Sequence, residues 1–586
     1  LTSQTRHFLT SIPGGPWSIP FYSDHSFNSG PRKSPARRIT SRFLFAISST
    51  LSQRLDTLLT ALAQLNLFYT DLRTFAMRAP IYMSPGTYRR ALVLASIIFS
   101  ITVISLVTSD HAAYSHHRRP PTTSWSFPSG ETPGQMKAKE CPLESSYLRR
   151  HQNSLTREIV YHSHCIRLSD TELAQRNVVA DINVPLLERG RIIDRQGSCE
   201  EWKPTHCDTI DLKVPRPFPA QKYPQLLFGL ATSYDRLLDS LSQLTHWLSG
   251  SGARLVVIII DANNHASELG RLLHLFRSHD IDLVVAPPWA DGSLGANEQH
   301  FTILRDMLNH LTPDTKWLGV IDDDTFFPSL YPLAALLADR DHTKPAYLGA
   351  LSDSLDALQR HGMMAYGGAG AFLSISLAEQ IEPKIESCLK SSPSPQGDAL
   401  LKNCIANQTT TELELLPGLN QLDIMGDPSG FYESGRYPVS LHHWKSWHHN
   451  PVDLMAKTTE LCGSCMMQRW RFGSDTVLSN GYSIVQYKDG IGLEELEHTE
   501  ATFDWSHLYE WSLGPLRNKT EPRLKKKYQL VDSEMVGGTL RQVYLHRAED
   551  FGSVEYSSGK LVSKSDKVAR DELVELWWDW SSLLAR

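Results

Sequence analysis

From Pro224 onward the hydrophobic positions switch regularly between two periods. PQLLFGLAT (224–232) is a near-continuous apolar run of strand length, and behind it Leu237, Leu238, Leu241, Leu244 and Leu248 recur at helical spacing. The β-branched run LVVIII (Leu255 to Ile260) follows, then a helical pattern through Leu269, Leu272, Leu273 and Phe276, the run IDLVVA (281–286), a second helical pattern through Phe301, Leu304, Leu308 and Leu311, and the run WLGVI (317–321). Strands that are apolar throughout and alternate with helices predict an α/β domain with a mostly parallel sheet covered on both faces. Ligands of such sheets bind beyond the carboxyl ends of the strands. Thr232, Ser233, Arg236, Asp261 and the triplet Asp322, Asp323 and Asp324 all fall at those ends. They are therefore expected to converge on one crevice although the chain separates them widely.

The N-terminal part follows another pattern. Residues 91–109 (ALVLASIIFSITVISLVTS) carry no charge, and at about 1.5 Å per residue they approach the roughly 30 Å of a bilayer core. A buried core helix of this length would show a polar face, so the run is predicted to be a transmembrane helix. Arg89 and Arg90 directly before it put the N-terminus in the cytosol and everything after Asp110 across the membrane, a single-pass type II topology. A cleaved signal peptide fits less well, because the apolar stretch exceeds about 7–15 residues and starts far from residue 1. Residues 1–90, rich in Arg, Lys, Ser, Pro and Gly, are expected to be a basic cytoplasmic tail, either disordered or, before Met83, a gene-model extension; the Leu spacing from Leu51 to Leu65 argues for more. Residues 110–140 have the composition of a flexible stalk.

Charge and cysteine usage refine this organisation. A formal net charge of -6 argues against a general nucleic-acid binder. All eight cysteines (Cys141, Cys165, Cys199, Cys207, Cys388, Cys404, Cys462 and Cys465) follow the apolar span, the distribution of disulfides made in an oxidising lumen. Asn407 and Asn518 open acceptable N-glycosylation sequons. Residues 141–223 are expected to form a disulfide-tied lead-in. Residues 491–586 form a C-terminal extension without a functional reading, in which Lys525 to Lys527 is expected to be a solvated basic face.

Three adjacent carboxylates at the end of a buried strand repel one another, which is tolerable where a divalent cation neutralises them, since hard cations take oxygen ligands. The plain alternative is a solvated acidic turn, but Thr325, Phe326 and Phe327 continue the apolar surroundings on the far side. A phosphatase of the haloacid dehalogenase type fits poorly: Phe326 stands where its Asp-x-Asp-x-Thr/Val signature needs Thr or Val, and Thr325 comes one residue early.

The order of segments is more specific. VIDDDTFF, then AYGGAGAFLS (Ala365 to Ser374), Cys388, GDALLKNC (Gly397 to Cys404) and LDIMGDPSGFYESGRYPVSLHHWKSW (Leu422 to Trp447) resemble the Fringe-related β-1,3-glycosyltransferases of glycosyltransferase family 31, in a fungal and plant branch, over roughly Pro224 to Tyr487. The resemblance implies a GT-A fold over residues 224–490, a UDP-sugar donor, Mn2+ or another divalent cation, inversion at the anomeric carbon and a glycan or glycoconjugate acceptor, in the lumen of the Golgi or endoplasmic reticulum. It implies Asp324 as principal metal ligand, Asp322 and Asp323 orienting donor or coordinated water, His442 or His443 completing the metal shell, and Gly367 and Gly368 beneath the donor sugar. Asp398 would be the general base, because an acceptor hydroxyl attacking in one displacement needs a carboxylate that is not tied to the cation. Asp398 also suits a helix N-cap, and YGGAGA also suits a tight turn before a core strand. Cys388 and Cys404 would be joined beside the base. Cys462-Gly-Ser-Cys465 reads as a disulfide more readily than as half of a zinc site. A carbohydrate-binding relative without catalysis is the competing class; the intact triplet, Asp398 and the His pair argue against it.

Overall fold

The computed structural model describes residues 146–581 apart from 152–153, 189, 195–207, 290–292, 549–555, 558–559 and 562–569. The expected tail (1–90), span (91–109), stalk (110–140), Cys141, Cys199 and Cys207 lie outside the described residues. Among those that are described, no helix is long and apolar enough to cross a membrane.

Seven strands form the sheet that carries the carboxylates: β1 (Leu226–Thr232), β2 (Arg254–Ile259), β3 (Asp282–Ala286), β4 (Trp317–Val320), β5 (Tyr347–Gly349), β6 (Ala371–Ser374) and β7 (Leu413–Leu415), in the order β7-β5-β6-β4-β1-β2-β3. The block β4-β1-β2-β3 is parallel, as the strand and helix alternation predicts. β6, however, runs antiparallel to both β4 and β5, so the sheet as a whole is mixed. The reason is local: the Gly-rich turn before β6 delivers Ala371 opposite Val320, at the carboxyl end of β4, and the strand can only run back from there. A four-residue apolar run has no periodicity that encodes its direction.

The two faces of this sheet explain the continuous apolar runs. Leu255, Val257 and Ile259 of β2 enter one core with Phe228, Trp247 and Phe327, while Val256 and Ile258 enter another with Phe301, Leu304 and Met307. Successive side chains point to opposite faces, so a strand covered on both must be apolar throughout. Helix α2 (Ala296–Asn309) covers the second face, and helix α1 (Tyr234–Asp239) opens directly after β1, capped by Ser233. A Cβ at Gly229 would overlap Met307 Sδ, so this glycine lets α2 lie close on β1.

A second sheet of ten strands joins parts of the chain on both sides of the first. Glu158–Asp170 pairs in parallel with Asp571–Asp579, which pairs with Thr539–His546, then Lys525–Val536, Ser483–Tyr487, Thr476–Ser479 and Arg469–Phe472. Strands on either side of the expected boundaries at 223 and 490 thus share one sheet, and the described residues form a single compact unit. Lys525 to Lys527 is not a solvated face: the three ammonium groups reach Glu500, Glu572 and Glu433 at 2.9, 2.6 and 3.1 Å. The run lies in an interior strand of the sheet, and a carboxylate stands within reach of each ammonium on either face.

Candidate active site

The end of β4, the Gly-rich turn before β6, helix α3 (Gly397–Gln408) and the segment around His442 meet at a cleft of about 780 Å³, lined by Asp322, Asp323, Asp324, His300, Asp398 and His442 among others. The aspartates have three different surroundings. Asp323 is buried and wholly engaged by the protein, accepting from Thr232 Oγ1 and from the Arg236 guanidinium in bidentate fashion. Asp324, also buried, accepts from Ser446 Oγ at 2.8 Å and has Oδ1 2.9 Å from His442 Nε2. Asp322 keeps 39% of its side chain exposed, with Oδ2 3.3 Å from the same nitrogen.

The two histidines separate clearly. His442 Nδ1 lies 3.1 Å from the Gln421 carbonyl, which can only accept, so this nitrogen carries a proton and Nε2 is left to face Asp322 and Asp324. His443 has both nitrogens occupied, Nδ1 by Ser446 Oγ at 3.1 Å and Nε2 by Asp423 at 2.9 Å, and its ring stacks on Trp447 at 3.9 Å. Those contacts hold it at φ +52°, a left-handed conformation uncommon outside glycine. Asp324, His442 and His443 have ligand atoms close enough to share a cation; of the pair, His442 is the one with a nitrogen not bonded to another protein partner beyond the carboxylates themselves.

The glycines explain how these rings fit. A Cβ at Gly368 would fall on the His442 ring, and one at Gly367 would come within 2.5 Å of Asp398 Oδ1 and 2.8 Å of His300 Nε2. Gly367 and Gly368 are buried behind these side chains. Asp398 sits in the first turn of α3; the capping position is Gln396, and the Asp398 carboxylate is directed to His300 Nε2 at 3.2 Å instead. Cys388 and Cys404 are joined, tying α3 to helix Ile385–Ser391, and Cys462 is joined to Cys465. Cys165 is disulfide-bonded as well.

Asp261 accepts from the Tyr234 N–H at 2.9 Å at the start of α1, and its neighbour Ile260 lines the cleft. Ser233 caps the same helix. Asn407 and Asn518 are exposed. Sequence reasoning missed His300, Gln421, Asp423 and Ser446. His300 is a lone His in an amphipathic helical pattern, which carries no signal; Asp423 lies inside the segment Leu422 to Trp447, where the resemblance implies no role for it.

Proximity sets the electrostatics. Burial would raise Asp324, but the hydrogen bonds from His442 and Ser446 hold it well below the usual carboxylate range. Burial would lower His442, yet its contacts with Asp322 and Asp324 push it up to about 10. Burial keeps His443 below its ordinary value, whereas Asp398 and Asp322 raise His300 against its burial. These contacts favour the protonated ring of His442; Asp324, Asp322 and, once deprotonated, the Nε2 of His442 form a hard-oxygen and imidazole donor set suited to Mn2+ or a similar ion.

A family model described as a protein of unknown function, DUF604, matches residues 358–513. Human chondroitin sulfate synthase 2 is 27% identical over 175 residues, 27% of this chain and 22% of that protein, so the chain spans under a quarter of the length of the curated relative it matches. Among solved structures, the mannosyltransferase PcManGT from Pyrobaculum calidifontis in complex with GDP-Man and Mn2+ overlaps at a TM-score of 0.24 and 12% identity, over 38% of this chain and 63% of that one. Mouse xyloside xylosyltransferase 1 overlaps at 0.24 and 11% identity, over 41% and 93% of the two chains. At such TM-scores the overlaps carry no argument. The family match is more informative by position: residues 358–513 contain Asp398, Asp423, His442 and His443, four of the side chains that build the cleft.

Proposed function

We propose that this chain is a glycosyltransferase of the GT-A type, related to the Fringe-like family 31 enzymes, that transfers a hexose from a UDP-sugar to a glycan or glycoconjugate hydroxyl with inversion and in β-1,3 linkage. The observation that carries the reading is the division of the cleft into two separate acidic centres. Asp324, Asp322 and His442 would hold the cation, and Asp398 stands apart from them with none of those three as its direct partner. When bound, a divalent cation offsets the charge of the donor diphosphate. Asp398, which lines the cleft, takes the proton of the attacking hydroxyl. Arg236 and Thr232 hold Asp323 fixed through their hydrogen bonds, which orients the triplet and leaves Arg236 less available to the donor. The human relative, whose name is that of a sugar-polymer synthase, supports the class of reaction. The apolar run 91–109 with Arg89 and Arg90 before it supports type II anchoring in the Golgi or endoplasmic reticulum, with the cleft in the lumen.

The test is UDP release by the purified chain from a panel of UDP-sugars, with and without Mn2+, beside UDP binding by calorimetry. The expected result is Mn2+-dependent turnover of one donor. Asp398→Asn should cut kcat by about 10²–10⁴-fold with UDP binding intact, and Asp324→Ala should abolish Mn2+-dependent binding. Binding without turnover of any donor would favour a carbohydrate-binding relative, and absence of Mn2+-dependent UDP binding would overturn the proposal.

A further inference from the structure

His300 faces a carboxylate with each ring nitrogen: Nε2 is 3.2 Å from Asp398 Oδ1 and Nδ1 is 3.4 Å from Asp322 Oδ1. These aspartates come from different elements, the loop after β4 and the first turn of α3. The ring itself has little freedom. It is carried by α2, whose neighbouring Phe301, Ile303 and Leu304 are buried against the sheet. Two glycine backbones also close on it: a Cβ at Gly397 would lie 2.6 Å from Cδ2, and one at Gly367 would lie 2.8 Å from Nε2. A histidine needed only to fill space would not require glycine on two sides and an acid at both nitrogens.

We propose that His300 is a positioning residue that locks the carboxylate of Asp398 in register with that of Asp322, and so couples the proton-accepting centre of the cleft to its cation-binding centre. The inference rests on the transferase reading for the role of Asp398, and on geometry alone for Asp322. Through Nδ1, His300 leaves Asp322 Oδ2 turned toward His442 and the cation site. Through Nε2, it holds Asp398 at the mouth of the acceptor side. Side chains that support catalytic and metal-binding groups in this manner typically matter by about 10–100-fold in affinity or rate.

Two isosteric substitutions divide the function. The amide of His300→Asn reaches about where Nδ1 lies, and the amide of His300→Gln reaches about where Nε2 lies. Mn2+ binding to the full chain, followed by the electron paramagnetic resonance of free Mn2+, needs no turnover. The Asn variant should keep the wild-type Kd within about twofold, and the Gln and Ala variants should weaken it about tenfold. In UDP release the order should reverse: Gln retains kcat within about fivefold, while Asn and Ala lose about 10–100-fold with the donor KM little changed. In the Asp398→Asn background the kcat difference between Gln and Asn should vanish. Circular dichroism melts show whether each variant folds. Identical Kd and kcat for Asn and Gln would overturn the positioning role while leaving the transferase reading intact. A wild-type chain that binds Mn2+ but neither binds nor releases UDP would overturn the transferase reading, and the Asn-over-Gln order in Mn2+ affinity would still support the Asp322 half of the coupling.

Discussion

If His442 holds the cation as proposed, a proton and the cation compete for one nitrogen. Its folded pKa is about 10, above the unfolded value of about 6.5, so in the metal-free protein its ion pairs contribute their full stability below about pH 6.5 and lose it as pH rises through about 10. Cation binding has the opposite sign, because the nitrogen must release its proton. Mn2+ affinity measured by calorimetry should rise about tenfold per pH unit between about pH 7 and 9, and this slope should flatten in His442→Ala along with a large loss of affinity. Gly368→Ala tests the same ring from behind. The added methyl falls on His442, so the variant should weaken Mn2+ binding at least tenfold and destabilise by about 1–3 kcal/mol, the usual cost of overpacking. Gly270→Ala, where a Cβ meets nothing within 4 Å in a helix, should instead stabilise by about 0.5–1 kcal/mol in the same thermal melts. The triplet was legible because three consecutive acids after an apolar strand stand out along the chain. The choice between His442 and His443 was not, since it depends on whether Gln421 or Asp423 lies next to each ring.

The elements around the cleft are short, and their ends matter more than their lengths. β4 and β6 have four residues each; β4 ends just before the acidic triplet, and β6 starts just after the Gly-rich turn. Helix α3 brings Asp398 on its first turn and Cys404 two turns later, where the bond to Cys388 fixes it to the preceding helix across a sequence separation of 16. For a loop of that size, Cys388→Ala with Cys404→Ala should lower stability by about 2–4 kcal/mol in denaturant titrations. Mn2+ affinity should stay near wild type, because the candidate ligands are carried by other elements, while kcat falls with the loosened α3. Periodicity located β1 to β4 and their helices, because strand and helix impose different spacings on the apolar residues that face a core. It could not orient β6, whose direction follows from the turn that delivers it.

At the scale of the molecule, the last described strand lies inside the ten-stranded sheet, between Glu158–Asp170 and Thr539–His546. Leu573, Val574, Leu576 and Trp578 are each no more than 2% exposed. Burying four such side chains is worth on the order of 6 kcal/mol or more, comparable to the whole net stability of about 5–15 kcal/mol of a folded domain. A chain ending at residue 569 should therefore lose its near-UV dichroism and its Mn2+-dependent UDP binding, even though every cleft residue is retained; a soluble, binding-competent product would contradict the strand's structural role. Nothing in the linear pattern joined residues 158–170 to 571–579, and the tryptophan-rich end carried no functional reading. What the sequence by itself determined was whatever neighbours along the chain encode: the alternation of strand and helix, the two-sided burial of the sheet and the acids at its strand ends. The tertiary structure alone decided which histidine turns a nitrogen to those acids, that His300 lies between Asp322 and Asp398, and that both flanks of the chain build one sheet. Each of those outcomes depends on distances between residues far apart in the chain, and such distances exist only after the cores have packed.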